Sequence, residues 1–127
     1  NIVSHQNVIR KASFEGFTIL SEPRALPFAK EYINYKYSTG DMHLLETEIL
    51  NFVTVMGQSH RKEVIDVLSA GLINPFFRVR NQIASIIIKM KAAEILPQLK
   101  SIYENERRVF VKNELRKAIN HLTEVNE

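Results

Sequence analysis

Apolar or small side chains recur along the chain at offsets 0, 4, 7, 8 and 11 in four separate segments, a spacing that places each set on one stripe of a helix. The sets are Ile9, Ser13, Gly16, Phe17, Leu20; Leu45, Ile49, Phe52, Val53, Met56; Val79, Ile83, Ile86, Ile87, Met90; and Val111, Leu115, Ala118, Ile119, Leu122. The first set is the poorest, with Ser13 and Gly16 in place of larger apolar residues. The sets begin at residues 9, 45, 79 and 111, a period in the thirties that matches one pair of helices per repeat.

The stretches between the stripes supply the other helix of each pair. Arg24-Ala25-Leu26-Pro27-Phe28-Ala29-Lys30 and Glu94-Ile95-Leu96-Pro97-Gln98-Leu99-Lys100 match, with their prolines two periods apart. Proline fits the first turn of a helix, where its missing N–H has no intrahelical partner to lose, so each Leu-Pro marks a helix start. Glu63 to Leu72 forms the corresponding middle helix, with Val64, Val67, Leu68 and Leu72 on one face and Gly71 near its end. Turns fall at Ser21-Glu22-Pro23, Ser38-Thr39-Gly40-Asp41, Gly57-Gln58-Ser59 and Asn74-Pro75, all rich in helix-breaking residues. No strand pattern of period two survives this register. The expected fold is all-α: one domain over residues 1–127, an α-solenoid of about four helix pairs stacked into a right-handed superhelix. First helices are expected to line the outer face and second helices the inner one.

The segment Asn74-Pro75-Phe76-Phe77-Arg78-Val79-Arg80, followed by Ile83-Ala84, resembles the HEAT-repeat pattern in which an acidic residue precedes a Val-Arg pair that opens the second helix. The chain departs from it in places. Asn74 and Glu106 hold the acidic position, Gly40 fills it in the second pair, and Lys112 and Glu46 stand where Arg80 stands. The resemblance implies an incomplete ladder of acid-to-arginine contacts between repeats and is specific for fold, not for function.

A narrower resemblance lies in Ile9-Arg10-Lys11-Ala12-Ser13-Phe14-Glu15-Gly16-Phe17 followed by Glu22-Pro23-Arg24-Ala25-Leu26-Pro27. These residues are similar to the HEAT-like C-terminal domain of gluzincin zinc aminopeptidases related to aminopeptidase N. The resemblance implies a non-catalytic tail that closes over or sizes a substrate chamber, with zinc held only in a catalytic domain upstream of it. Asn1 in place of an initiator Met fits a processed chain or a domain cut from a longer protein.

Composition narrows the class further. The 127 residues are 45% hydrophobic and 24% charged, the profile of a globular domain able to bury a core. No apolar run reaches the roughly 18 residues needed to span a bilayer, and residues 1–16 lack the apolar core of a signal peptide, so a cytoplasmic protein without a membrane partner is expected. The absence of cysteine removes disulfides, thiolate metal sites and cysteine nucleophiles. The net charge of +3 is concentrated: Arg107, Arg108, Lys112, Arg116 and Lys117 stand against Glu114 alone between positions 107 and 117. An isolated basic helix face is more often solvated than a nucleic-acid patch, and only Phe110 is interleaved as a stacking ring.

The catalytic constellations all fail. His5, His43, His60 and His121 are far apart and none precedes Glu, so the His-Glu-x-x-His zinc helix is missing. His43 and Glu46 share a one-turn spacing but amount to two ligands. Gly16, Gly40, Gly57 and Gly71 are isolated and form no phosphate loop, and Ser4, His5 and Asp41 have no spacing that marks a triad. No catalytic residue, cofactor site or metal site is therefore expected in this chain. The candidate partner contacts are Phe76 and Phe77 in the turn entering the third stripe helix, together with Arg107, Arg108, Lys112, Arg116 and Lys117. Tyr32, Tyr35 and Tyr37 form a second aromatic cluster, read as a wetted edge of the core. The expected function is a scaffold for contact with protein or peptide, as an aminopeptidase tail or a free-standing interaction module, with nucleic-acid binding the last alternative.

Overall fold

The structure, a computed structural model, describes residues 2–33, 45, 47–74 and 76–125, with the side chains of 2–8, 77 and 125 outside the description. Among the described residues there are seven α-helices and no strand: α1 Ile2–Leu20, α2 Leu26–Ile33, α3 Thr47–Met56, α4 Arg61–Gly71, α5 Phe77–Met90, α6 Leu96–Asn105 and α7 Val109–Val125. The expected breaks at Ser21-Glu22 and Gly57-Gln58-Ser59 are turns, and the expected turn at 38–41 lies outside the described residues.

Two of the junctions are copies of one another, 70 residues apart. α1 and α5 each end on a non-glycine residue in the left-handed region, Ser21 at φ 49° and Lys91 at φ 54°. In both, the next N–H reaches back to close the helix, Glu22 to the Phe17 carbonyl at 3.0 Å and Ala92 to the Ile87 carbonyl at 3.1 Å. A three-residue 3-10 turn follows, Pro23–Ala25 or Ala93–Ile95, and then the Leu-Pro start of α2 or α6. Glu22 caps the first of these turns by accepting the Arg24 N–H at 3.0 Å. The Arg24 side chain, its backbone N–H and its charge, working against desolvation, hold the Glu22 carboxyl down at about 2. A left-handed residue with a Cβ is strained, and Lys91 is exposed. Lys91→Gly is therefore expected to raise stability by about 0.5–1 kcal/mol. Urea denaturation of the two proteins measures it, and a lower midpoint for the variant would contradict the capping geometry.

Alternate helices pack on one another. α1 lies against α3, α3 against α5 and α5 against α7, while α2 lies against α4, α4 against the 3-10 turn leading into α6, and α6 against α7. The stripes of α3, α5 and α7 form the core between these rows: Ile49, Phe52, Val53, Met56, Val79, Ile83, Ile87, Val111, Leu115, Ala118 and Leu122 are all buried, and Ile119 and Met90 are partly so. Val64, Val67, Leu68 and Leu72 bury the inner face of α4 and its end, as the spacing predicts. Gly71 is needed where α4 closes on its neighbours, because a Cβ there would sit 2.7 Å from Ile83 Cγ1 and 2.9 Å from Ile33 Cγ2.

The first stripe is a correction. Ile9 is 53% exposed, Leu20 is 74% exposed and Ser13 is on the surface. Phe14, which the template omits, is the buried residue of α1. Its ring meets Phe52 at 5.5 Å and packs edge-on against Phe17 and Tyr32. The cause is coverage: among the described residues α1 lies chiefly against α3, so the side carrying Phe14 and Phe17 is covered and the side carrying Ile9 and Leu20 is not.

Candidate functional site

The most ordered polar feature runs along one edge of the stack, through the turns that join the helices. Asn74, 1% exposed, donates from Nδ2 to the Ile33 carbonyl at the end of α2, at 2.7 Å, and its Oδ1 accepts the Phe76 N–H at 2.8 Å. Arg80 donates to the Asn74 carbonyl at 2.8 Å and, from its other terminal nitrogen, to Glu106 Oε2 at 2.7 Å. Glu106 Oε1 accepts the Arg108 N–H at 3.1 Å, which anchors the start of α7. Burial opposes ionisation of Glu106, yet the Arg108 N–H and the Arg80 guanidinium together hold its carboxyl below the usual carboxylate range. Asn74, Arg80 and Glu106 thus link the end of α2 with the start of α7.

The basic segment is divided among separate partners. Arg107 and Arg108 are exposed beside a groove of about 450 Å3 that also borders Asn74, Arg80, Ser101 and Asn105. Lys112 and Arg116 converge instead on Tyr103 of α6: the Lys112 ammonium lies 4.6 Å from the ring centre, and Arg116 donates to the phenol oxygen at 2.7 and 3.2 Å. The Arg116 hydrogen bond, opposed by desolvation and helped by the Arg116 and Lys112 charges, holds the Tyr103 hydroxyl below its ordinary value. Lys117 pairs with Glu114 at 3.1 Å.

Phe76 is half-buried and packs against the core, with its backbone capping α5, while the Phe77 side chain falls outside the description. Tyr32 lies under the Arg10 guanidinium, 4.9 Å from the ring centre, and Tyr35 and Tyr37 lie outside the described residues. His43 and Glu46 are outside them too, and no group of three His, Asp or Glu side chains converges to hold a metal among the described residues. No described helix is long and apolar enough to cross a membrane.

Several polar positions were not legible in the sequence. Arg61 grips Glu94 with two hydrogen bonds of 2.8 and 2.9 Å and donates to the Met90 and Lys91 carbonyls at the end of α5. Gln82 clamps both backbone groups of Leu45, at 2.9 and 3.2 Å. Tyr103 serves as the platform for two cations. Each acts across roughly 10 to 40 positions of chain, where no local pattern announces it. Nor did the spacing reveal the open groove of about 560 Å3 between α1 and α2, walled by Ile9, Arg10, Phe14, Phe17, Phe28 and Tyr32. No protein-family model matches the chain, and neither the curated proteins nor the solved structures contain a match.

Proposed function

We propose that the chain is a HEAT-like helical-repeat scaffold that acts by presenting surface to another protein or peptide, without catalytic chemistry of its own. The observation that supports this reading is the pair of rows: helices carrying one stripe pack on one another in chain order, and a whole junction of left-handed cap, 3-10 turn and Leu-Pro start recurs after 70 residues. A stack of this kind grows by adding like units and offers its end faces and long sides for contact. The arginines and aromatics used elsewhere as binding anchors are here largely engaged within the fold: Arg61 on Glu94, Arg80 on Glu106, Arg116 on Tyr103. The Pro-Arg-Ala-Leu-Pro start of α2 favours one setting for such a scaffold, the tail of a zinc aminopeptidase, where it contributes surface and the zinc belongs to another domain.

Two measurements on the isolated chain test this. After dialysis against zinc, metal analysis is expected to find no stoichiometric metal, and amino-acid amides are expected to remain uncleaved. Duplex and single-stranded DNA and RNA, titrated at low salt and at roughly 0.15 M, are expected to show at most weak association that vanishes at the higher level. Micromolar binding at the higher salt, abolished by reversing Arg108, Lys112 and Arg116 to Glu in a folded protein, would replace the scaffold with nucleic-acid recognition.

A further inference from the structure

The two ends of the stack differ in chemistry. The surface of α7 away from the core carries exposed Asn113, Arg116, Lys117, Asn120, Thr123 and Glu124, its exposed apolar residues Val109 and Phe110 being confined to the first turn. The outward side of α1 carries Ile9, Ala12, Ser13, Ile19 and Leu20, all exposed, with Ile19 at 83% and Leu20 at 74%. Offsets of 3, 4, 7, 10 and 11 from Ile9 place Ala12, Ser13, Gly16, Ile19 and Leu20 on one face. The face is large at both ends and small in the middle. At Gly16 an added Cβ would meet nothing within 4 Å. On α2 the same end continues through Phe28, 56% exposed, across the open groove.

The internal repeat indicates what covers this face. In α3 the residue equivalent to Gly16 is Phe52, and its ring lies 5.5 Å from Phe14 and 6.2 Å from Phe17 of the preceding row helix. In α5 the residue equivalent to Leu20 is Met90, and its sulfur and methyl fill the space beside Gly57 at the end of the preceding row helix. Position 7 of the stripe thus touches the previous member of the row in α3, and position 11 does so in α5.

We propose that the outward face of α1 and the groove beside it are the docking surface for an amphipathic partner helix that packs on α1 as α1 packs on α3. This rests on the stacked-row reading above. The partner's stripe carries bulky, aromatic side chains in register with Ala12, Ser13 and Gly16, whose small size leaves room for rings of the kind that Phe14 and Phe17 present to Phe52. Burying exposed Ile9, Ile19, Leu20 and Phe28 supplies the driving force.

A surrogate for the partner exists within the chain, since α1 itself carries the complementary Phe14 and Phe17 face. A tandem protein with residues 1–46 repeated once ahead of Asn1 is expected to unfold in one transition. Its denaturant midpoint should lie above that of the parent, with an m value larger by roughly one-third, in line with the added chain. Gly16→Arg in the inner copy should abolish the gain, while the same substitution in the parent should leave the midpoint unchanged or slightly higher, given the open space there. An unchanged tandem midpoint, with the extra residues unfolded by amide exchange, overturns the proposal. So does concentration-dependent dimerisation of the parent that Gly16→Arg removes, which would assign the face to a second copy of the chain. The row reading is checked separately by truncating the parent after Lys91: retained helical signal at a lower midpoint keeps that reading whatever the tandem shows, and complete unfolding removes it.

Discussion

Replacing Ile87 by Asp is expected to leave the chain without a cooperative unfolding transition. Ile87 is fully buried in the last turn of α5, a helix that packs against both α3 and α7. An aspartate there loses the packing of a whole aliphatic side chain and places a carboxyl where Val53, Ile83 and other apolar core groups supply no polar partner. The combined cost is several kcal/mol, comparable with the whole stability of roughly 5–15 kcal/mol of a small domain. Leu115→Asp in α7, 1% exposed, repeats the test one row further on. Circular dichroism and a urea titration decide the matter. A helical Ile87→Asp protein with a sharp transition would show that the stripe has been placed in the wrong register.

Arg80→Ala should have the second largest effect. Its side chain is 11% exposed and its partner Glu106 only 7%, so the substitution leaves a nearly buried carboxylate with the Arg108 N–H and the Arg108 guanidinium 3.7 Å away, and removes the bond to the Asn74 carbonyl as well. Removing one member of such a pair costs about 3 kcal/mol. The pair also sets an acid limb. Because the folded-state pKa of Glu106 lies below its ordinary value of 4.5, its contribution is present above that value and is lost as the pH falls through the lower, folded one. Stability should therefore hold from neutrality down to about 4.5 and decline below it, with Glu94, held down by Arg61, declining alongside. Thermal denaturation across this range measures the limb. In Glu106→Gln the decline should be shallower, and an Arg80→Ala protein with the parent's stability and acid profile would remove the ion pair from the account.

Helix type and register in α3, α4, α5 and α7 were readable because each apolar stripe lies against at least two other helices, that of α7 against α5 and α6, so the apolar spacing and the burial coincide. Leu26-Pro27 and Leu96-Pro97 marked their helix starts because proline is tolerated at few helix positions. The same template misled at α1, where Ile9 and Leu20 occupy core offsets but lie at the surface: periodicity records which side chains are apolar, not whether a neighbour is there to cover them. Of the anchors picked from sequence, Arg107 and Arg108 border a groove, Arg108 being also paired with Glu106 at 3.7 Å, and Lys112 and Arg116 are drawn onto Tyr103. A charge run shows where cations are dense along the chain, and only the packing of α6 on α7 shows which of them the fold consumes.

The hydrogen bonds from Ile33 through Asn74 and Arg80 to Glu106 join the end of α2, the turn before α5, α5 itself and the approach to α7 in one line. The bonds to Ile33 and Glu106 join elements far apart along the chain, so such a thread lengthens the cooperative block. The end of α2 and the beginning of α7 become thermodynamically linked through this line, so strain applied at either end is shared between them.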